Sequence, residues 1–183
     1  MIVYHTAYEE IKKPDVSFGR KNADLGAGFY VSFSDNFASK WGRRKKGSSV
    51  YVNSYELDTE ELKVLRLSKD RTWLRYLRRN RAGYPDAFGD YDIIIGPVAN
   101  DTVYDMFGLI TSSLLDEETA LELLKLGPEM FQIAVKSRRA AERMDFLSSY
   151  VIDDETLLIN ASQLKVEETE YQDLVSSYFE EMK

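Results

Sequence analysis

The sequence predicts an α+β domain, with many short strands separated by helices but without the βαβαβ regularity of a doubly wound sheet. Three observations point there. The 183 residues are 44% hydrophobic and 30% charged, the composition of a globular chain long enough to bury one real core. Ser49 to Leu57 alternates through Val50, Val52, Tyr55 and Leu57, as a half-buried strand does. Asp92-Ile93-Ile94-Ile95-Gly96 is a nearly continuous apolar run, as a strand covered on both faces reads.

Ile2 to His5 reads as the first strand. Thr6 to Gly26 is long, polar and broken by Pro14 and Gly19, which predicts a loop with a turn of helix; loops of that length inside a compact domain tend to be functional. Gly28 to Phe33 is aromatic and β-branched, hence a strand. Ser34 and Asp35 start a helix whose Phe37, Ala38 and Trp41 share a face, with both Trp41 and Trp73 expected in the core. The basic turn 42–47 suits a helix C-terminus. Further elements are a strand over Leu62 to Leu67 and a basic helix around Trp73, Leu74 and Leu77, with Arg75, Arg78, Arg79 and Arg81 on a solvated face. Helices are expected over Asn100 to Phe107, Asp116 to Leu126 and Ser137 to Met144, and strands over Phe131 to Val135 and Phe146 to Ile152. From Thr156 onward the chain turns acidic, and Tyr171, Leu174, Val175, Tyr178 and Phe179 fit one face of a helix. The expected organisation is a domain over 1–152 and an acidic helical extension over 153–183.

Composition excludes several chemistries. The chain has no cysteine and a single histidine, so disulfides, thiol nucleophiles, iron–sulfur clusters, thiolate zinc sites and multi-histidine metal centres are all ruled out, and no metal is expected. No phosphate loop, nucleophile elbow, metalloprotease helix or calcium loop is present, and Gly26-Ala27-Gly28 precedes a strand where a Rossmann turn would follow one. No run approaches the roughly 20 apolar residues of a membrane helix, and no signal-peptide pattern is visible at the start, so a cytoplasmic protein without a membrane partner is expected. With 24 basic and 31 acidic side chains the net charge is −7. It is unevenly spread: 40–81 holds 13 Lys/Arg against 5 Asp/Glu, and 142–183 holds 11 acidic against 3 basic residues. Self-complementarity, within the fold or in a homo-oligomer, is the simple use of that asymmetry; a basic surface for phosphates is the sharper one.

Several segments together form a recognisable pattern: Val3-Tyr4-His5-Thr6; Gly19-Arg20 with Asp24-Leu25-Gly26-Ala27-Gly28-Phe29-Tyr30-Val31-Ser32; Asp92 to Asp101; and Phe131 to Ser137. This pattern resembles an uncharacterised bacterial domain-of-unknown-function family grouped with the ADP-ribosyltransferase superfamily, near the branch of diphtheria toxin and the poly-ADP-ribose polymerases. The resemblance covers roughly residues 1–150 and implies a split, bent mixed sheet flanked by helices and gripping NAD. In it a strand-borne His contacts a ribose hydroxyl, a Tyr stacks on nicotinamide and a Glu holds the other ribose. These roles fall on His5, Tyr30 and, with a departure, Gln132. The resemblance also implies a setting in bacterial conflict, as a toxin-like effector with an antitoxin-like partner.

Cleaving the nicotinamide–ribose bond builds an oxocarbenium-like cation, so the site must orient the ribose, hold the nicotinamide and place negative charge nearby. A neutral His5 is expected to donate to a ribose hydroxyl while its other nitrogen is fixed by backbone. Tyr30 offers a flat face, Arg20 a planar fork for pyrophosphate, and Gly26 and Gly28 a close backbone approach. The cofactor-binding set expected is His5, Thr6, Arg20, Asp24, Gly28, Tyr30 and Asn100, with the imidazole and phenol facing each other across one crevice. Gln132 carries no charge, so a carboxylate is sought at Asp101, then Glu129, then Asp24, which could instead anchor Arg20; the catalytic set expected is Asp101, Gln132 and Glu129. Each has an ordinary structural alternative, most plainly Asn100-Asp101 as a helix cap. The activity expected is NAD-dependent transfer of ADP-ribose to a protein or nucleic-acid acceptor, the alternative being a catalytically weak nucleotide- or partner-binding module.

Overall fold

The computed structural model describes residues 1–99 and 115–181. In chain order the elements are β1 (Ile2–Ala7), a 3-10 turn (Val16–Phe18), β2 (Phe29–Ser32), α1 (Asp35–Lys40), β3 (Val50–Leu57), β4 (Val64–Arg66), α2 (Arg71–Arg81), β5 (Ile93–Pro97), α3 (Glu117–Leu126), β6 (Phe131–Val135), α4 (Arg138–Ala141), β7 (Met144–Ile152) and α5 (Asp154–Glu181). The class is α+β. The seven strands form one mixed sheet in the order β4-β5-β6-β2-β1-β3-β7, in which the β4–β5 pair alone is parallel.

Side-chain alternation divides the sheet residues between two cores. Ile93, Ile95, Ile133, Val135, Phe29 and Val31 pack with Val3, Tyr55 and the α4 alanines on one face. Ile94 and Ala134 pack on the other against Leu25, the α2 residues Trp73, Leu74 and Leu77, α3, and Tyr171 and Val175 of α5. A third, smaller cluster of Ala38, Val50, Val52, Ile152 and Leu157 lies beneath α1 and the start of α5, with Tyr4 against it. Local chemistry sets the helix starts: Ser34, Asp70, Asp116 and Ser137 each accept a backbone N–H of the first turn.

Most strands fall where periodicity places them, but the helix expected over Ser137 to Met144 stops at Ala141. Met144 is taken by β7, where it pairs with Leu57 and buries its side chain. The helix expected over Asn100 to Phe107 lies outside the described residues. The long segment after β1 is tied down by buried Asn53, which accepts from the Ile11 N–H at 3.0 Å and donates to the Glu9 carbonyl at 3.2 Å. Tyr55 adds a hydroxyl bond of 2.6 Å to the Ile11 carbonyl.

The opposed charge blocks meet within the chain: Lys40 pairs with Glu167 at 2.7 Å and Arg44 with Asp154 at 2.6 Å. Helix α5 also inserts Leu157, Asn160, Tyr171 and Val175 into the interior, and the Tyr171 hydroxyl donates to the Leu123 carbonyl at 2.7 Å. Among the described residues no helix is long and apolar enough to cross a membrane.

Candidate functional site

The ladders around β1 are unequal. β1 and β3 are in register over six residue pairs, Ile2↔Glu56 to Ala7↔Tyr51. On its other side β1 meets β2 through one registered pair, Tyr4↔Ser32. Where that ladder stops, the His5 side chain takes over, with Nδ1 2.6 Å from the Tyr30 carbonyl oxygen. A cavity of about 230 Å³ lies at this junction, and its lining includes Tyr4, His5, Thr6, Arg20, Tyr30, Gln132 and the α1-side residues Phe37, Ala38 and Trp41.

Because a carbonyl oxygen only accepts, Nδ1 of His5 must carry the proton. Burial holds the imidazole pKa below its ordinary value, against the opposing pull of the Tyr30 carbonyl bond. The ring is therefore neutral at neutral pH and its Nε2 is a hydrogen-bond acceptor. This corrects the expectation of a donating His5: a ligand hydroxyl would donate a hydrogen bond to Nε2. The ring also stacks on Phe29, with centroids 4.2 Å apart.

Tyr30 is positioned differently from expectation. Phe29 and Val31 belong to one core and Tyr30 packs against the other, so the Tyr30 ring and the His5 ring leave their strands toward opposite faces. They do not face each other across a crevice, although both residues are among those that line the cavity. The phenol is pinned by backbone, accepting from Leu25 N–H at 3.0 Å and donating to the Gly26 carbonyl at 2.6 Å. Burial, and next the nearby Asp24 charge, push its pKa up, so it stays a neutral donor.

The loop that receives the phenol is itself anchored from below. Lys136, with its side chain 4% exposed, forms an ion pair with Asp86 and donates to the Leu25 carbonyl at 2.8 Å. The Tyr76 hydroxyl reaches the same carbonyl at 3.0 Å and Asp86 at 2.8 Å. Burial raises the Asp86 pKa, but hydrogen bonds from Lys136, Tyr76 and the Phe88 N–H outweigh it and keep the carboxylate ionised. Gly26 has φ +82° directly above this pair, and a Cβ there would strike both the Asp86 carboxylate and Lys136 Nζ. Apart from Tyr76 and Asp86, which are 10 residues apart, these side chains meet partners 50 and more residues away, which no local pattern reveals; the one available signal is a lone lysine closing an apolar strand.

Other expected site residues are placed as follows. Thr6 lines the cavity and donates its hydroxyl to the Ala38 carbonyl. Arg20 lines it without an ion pair among the described residues. Asp24 does not anchor Arg20; it binds Arg81 at 2.6 Å. That contact also removes Arg81 from the solvated face expected for it, leaving its side chain 7% exposed. Gly28 is absent from the cavity wall: a Cβ there would meet the Val135 carbonyl oxygen at 2.7 Å, so strand packing explains it. Trp41, expected in the core, is 39% exposed and lines the cavity, because it caps the short α1 at the surface. Glu129 is exposed, lies off the cavity and acts on Lys69. Asn100 and Asp101 lie outside the described residues. Gln132 pairs in the ladders with Ser32 and Gly96 and lines the cavity, where no described lining residue is a carboxylate.

The arrangement offers one acceptor nitrogen, one neutral amide, one guanidinium and an aromatic wall of Phe37 and Trp41, whose rings meet edge-on at 5.8 Å. That set suits a hydroxyl-bearing or aromatic group with an anionic substituent. In sequence, no curated protein matches the chain. A family described as "Protein of unknown function (DUF3990)" matches residues 1–146, which take in the whole cavity wall. The chain belongs to that family.

Proposed function

We propose that the chain is an NAD-dependent ADP-ribosyltransferase whose substrate cleft is the cavity at the β1–β2 junction. The observation that carries this reading is the meeting of His5, Thr6, Arg20, Tyr30 and Gln132, drawn from three separated segments, around one small opening. At about 230 Å³ it is below the usual range of ligand pockets, so it suits the nicotinamide-ribosyl end, with the remainder of the dinucleotide along the surface toward Arg20.

In this reading Nε2 of His5 accepts a hydrogen bond from a ribose hydroxyl and fixes the sugar. The Tyr30 ring, held by its backbone-bound hydroxyl, and the Phe37 ring orient the nicotinamide. Arg20 neutralises pyrophosphate through its fork. Gln132 orients the second ribose as the bond to nicotinamide breaks: the electron pair leaves with nicotinamide, the ribosyl cation is captured by the acceptor nucleophile, and the acceptor's proton goes to solvent. The acceptor is a macromolecule, and a toxin-like role follows only from the resemblance.

The reading is tested by release of nicotinamide from NAD. Tyr30→Ala and His5→Ala abolish release, and Gln132→Glu, which supplies the missing charge, raises it by about a hundredfold. A second reading has its own support, since no described cavity residue is a carboxylate. NAD bound by wild type and by Gln132→Glu with no turnover in either would identify a binding module instead.

A further inference from the structure

A second cavity, of about 760 Å³, lies beside the first and is lined by Arg44 to Val50 on one side and Val151 to Asp154 with Leu157 on the other. The two share a floor. Tyr4 and Ala38 line the first, Val50, Ile152 and Leu157 line the second, and all five belong to or pack on the small cluster beneath α1. They are separated by Trp41-Gly42-Arg43, and Gly42 is pressed so closely on that floor that a Cβ would lie 3.1 Å from both Ile152 and Val50 side chains.

The chain between them has an unusual composition. Five of the seven residues 40–46 are Lys or Arg and none is acidic, in a protein of net charge −7. Lys40 and Arg44 are matched by Glu167 and Asp154. The remaining acid of the groove, Asp153, is occupied as a helix cap, accepting from the Thr156 N–H at 2.7 Å and its hydroxyl at 2.9 Å. Among the described residues Arg43 bonds only backbone carbonyls, of Lys40 and Gly42, and the Lys45 ammonium lies 5.0 Å over the exposed Tyr8 ring. Arg43, Lys45 and Lys46 therefore have no acidic partner among the described residues. Just before them in the chain, Phe37 and Trp41 line the first cavity, and Trp41 is exposed.

We propose that this surface binds a single-stranded nucleic acid, its phosphates along Arg43, Lys45 and Lys46 and a base stacked at Trp41. Flat rings beside a cationic track are what such strands need, since every base has a face to stack and each phosphate a charge to neutralise. A duplex cannot offer its bases to Trp41, and an acidic peptide would use the cations without the rings. As the acceptor surface of an ADP-ribosyltransferase this deepens the function proposed above and rests on it; binding itself does not.

The experiment is a titration of the full chain with a fluorescein-labelled oligo(dT) or oligo(rU) of about 15 nucleotides, without NAD, from 50 to 200 mM salt. Intrinsic fluorescence is followed in parallel: Trp73 is fully buried, so quenching reports Trp41. Binding that quenches this signal is expected, with Trp41→Ala weakening it about tenfold and Trp41→Phe largely restoring it. Replacing Arg43, Lys45 and Lys46 by Ala lowers the slope of log affinity on log salt by about 2. No binding at 50 mM salt, equal affinity for a duplex, displacement by polyglutamate as effective as by unlabelled oligonucleotide, or indifference to these substitutions each overturns the proposal. Because the titration contains no NAD, its failure leaves the nicotinamide-release test standing, and the reverse also holds.

Discussion

The two walls of the small cavity are built on opposite plans. One is β2, whose Tyr30 ring is received by the loop 23–28, and that loop is held by buried or partly buried ionic and hydrogen-bonded contacts from Arg81, Lys136, Asp86 and Tyr76. The other is α1 with its basic turn, held by Thr6 on the Ala38 carbonyl and by partly or largely exposed ion pairs to α5. Low dielectric strengthens the first set and water screens the second. The difference teaches that the site has a fixed side, which sets the Tyr30 ring, and an adaptable side carrying Trp41 and the cations.

The strongest way to break that contrast is to remove Lys136. Lys136→Met leaves Asp86 partly buried and unpaired, at a cost of about 3 kcal/mol, or a melting temperature roughly 6–12 °C lower by calorimetry. The double variant Lys136→Met with Asp86→Leu recovers much of that loss, since it removes both charges; no recovery would mean that the pair acts through something other than its mutual charge. Tyr30→Phe comes next. It strips the partner from the Leu25 N–H and the Gly26 carbonyl, costing about 1–2 kcal/mol in chemical denaturation while keeping the ring.

His5 gives a smaller, pH-dependent effect. Its folded-state pKa is depressed by burial, so the unfolded chain takes up a proton that the fold resists. Its share of stability is present above about pH 6.5 and is lost as pH falls below that value toward the folded pKa. The stability of the wild type is therefore expected to fall more than that of His5→Gln between pH 7.5 and 5.5; parallel curves would refute the assignment. Least of all, Arg44→Ala is expected to move the melting temperature by no more than about 1–2 °C, as befits an exposed pair. A large drop there would erase the distinction between the walls.

What could be read in the sequence was local. Alternation in Val50–Leu57 and the run Ile93–Ile95 specify strands by their own neighbours, whereas His5, Tyr30 and Gln132 come from the family resemblance of the segments that carry them, and with Arg20 they line one cavity. The ionic partners were not legible. Asp24 had Arg20 close in sequence, yet it takes Arg81 from the last turn of a helix that packing brings over the loop. Trp41 looked like core because its helical spacing matched Phe37 and Ala38; only the end of α1 after Lys40 shows that its ring faces outward. The tautomer of His5 also required coordinates, because it depends on which atom Nδ1 meets.

The docking of α5 has a practical consequence for anyone dissecting this protein. The family match ends at 146, inside β7, whereas Leu157, Tyr171 and Val175 complete cores that strands from the front of the chain begin. A recombinant fragment trimmed to the shared segment would sever a nine-residue strand midway and uncover hydrocarbon over two clusters. Its insolubility would say nothing about the chemistry of the cleft, so loss-of-function truncations past Ile152 cannot be used to assign a separate task to the tail.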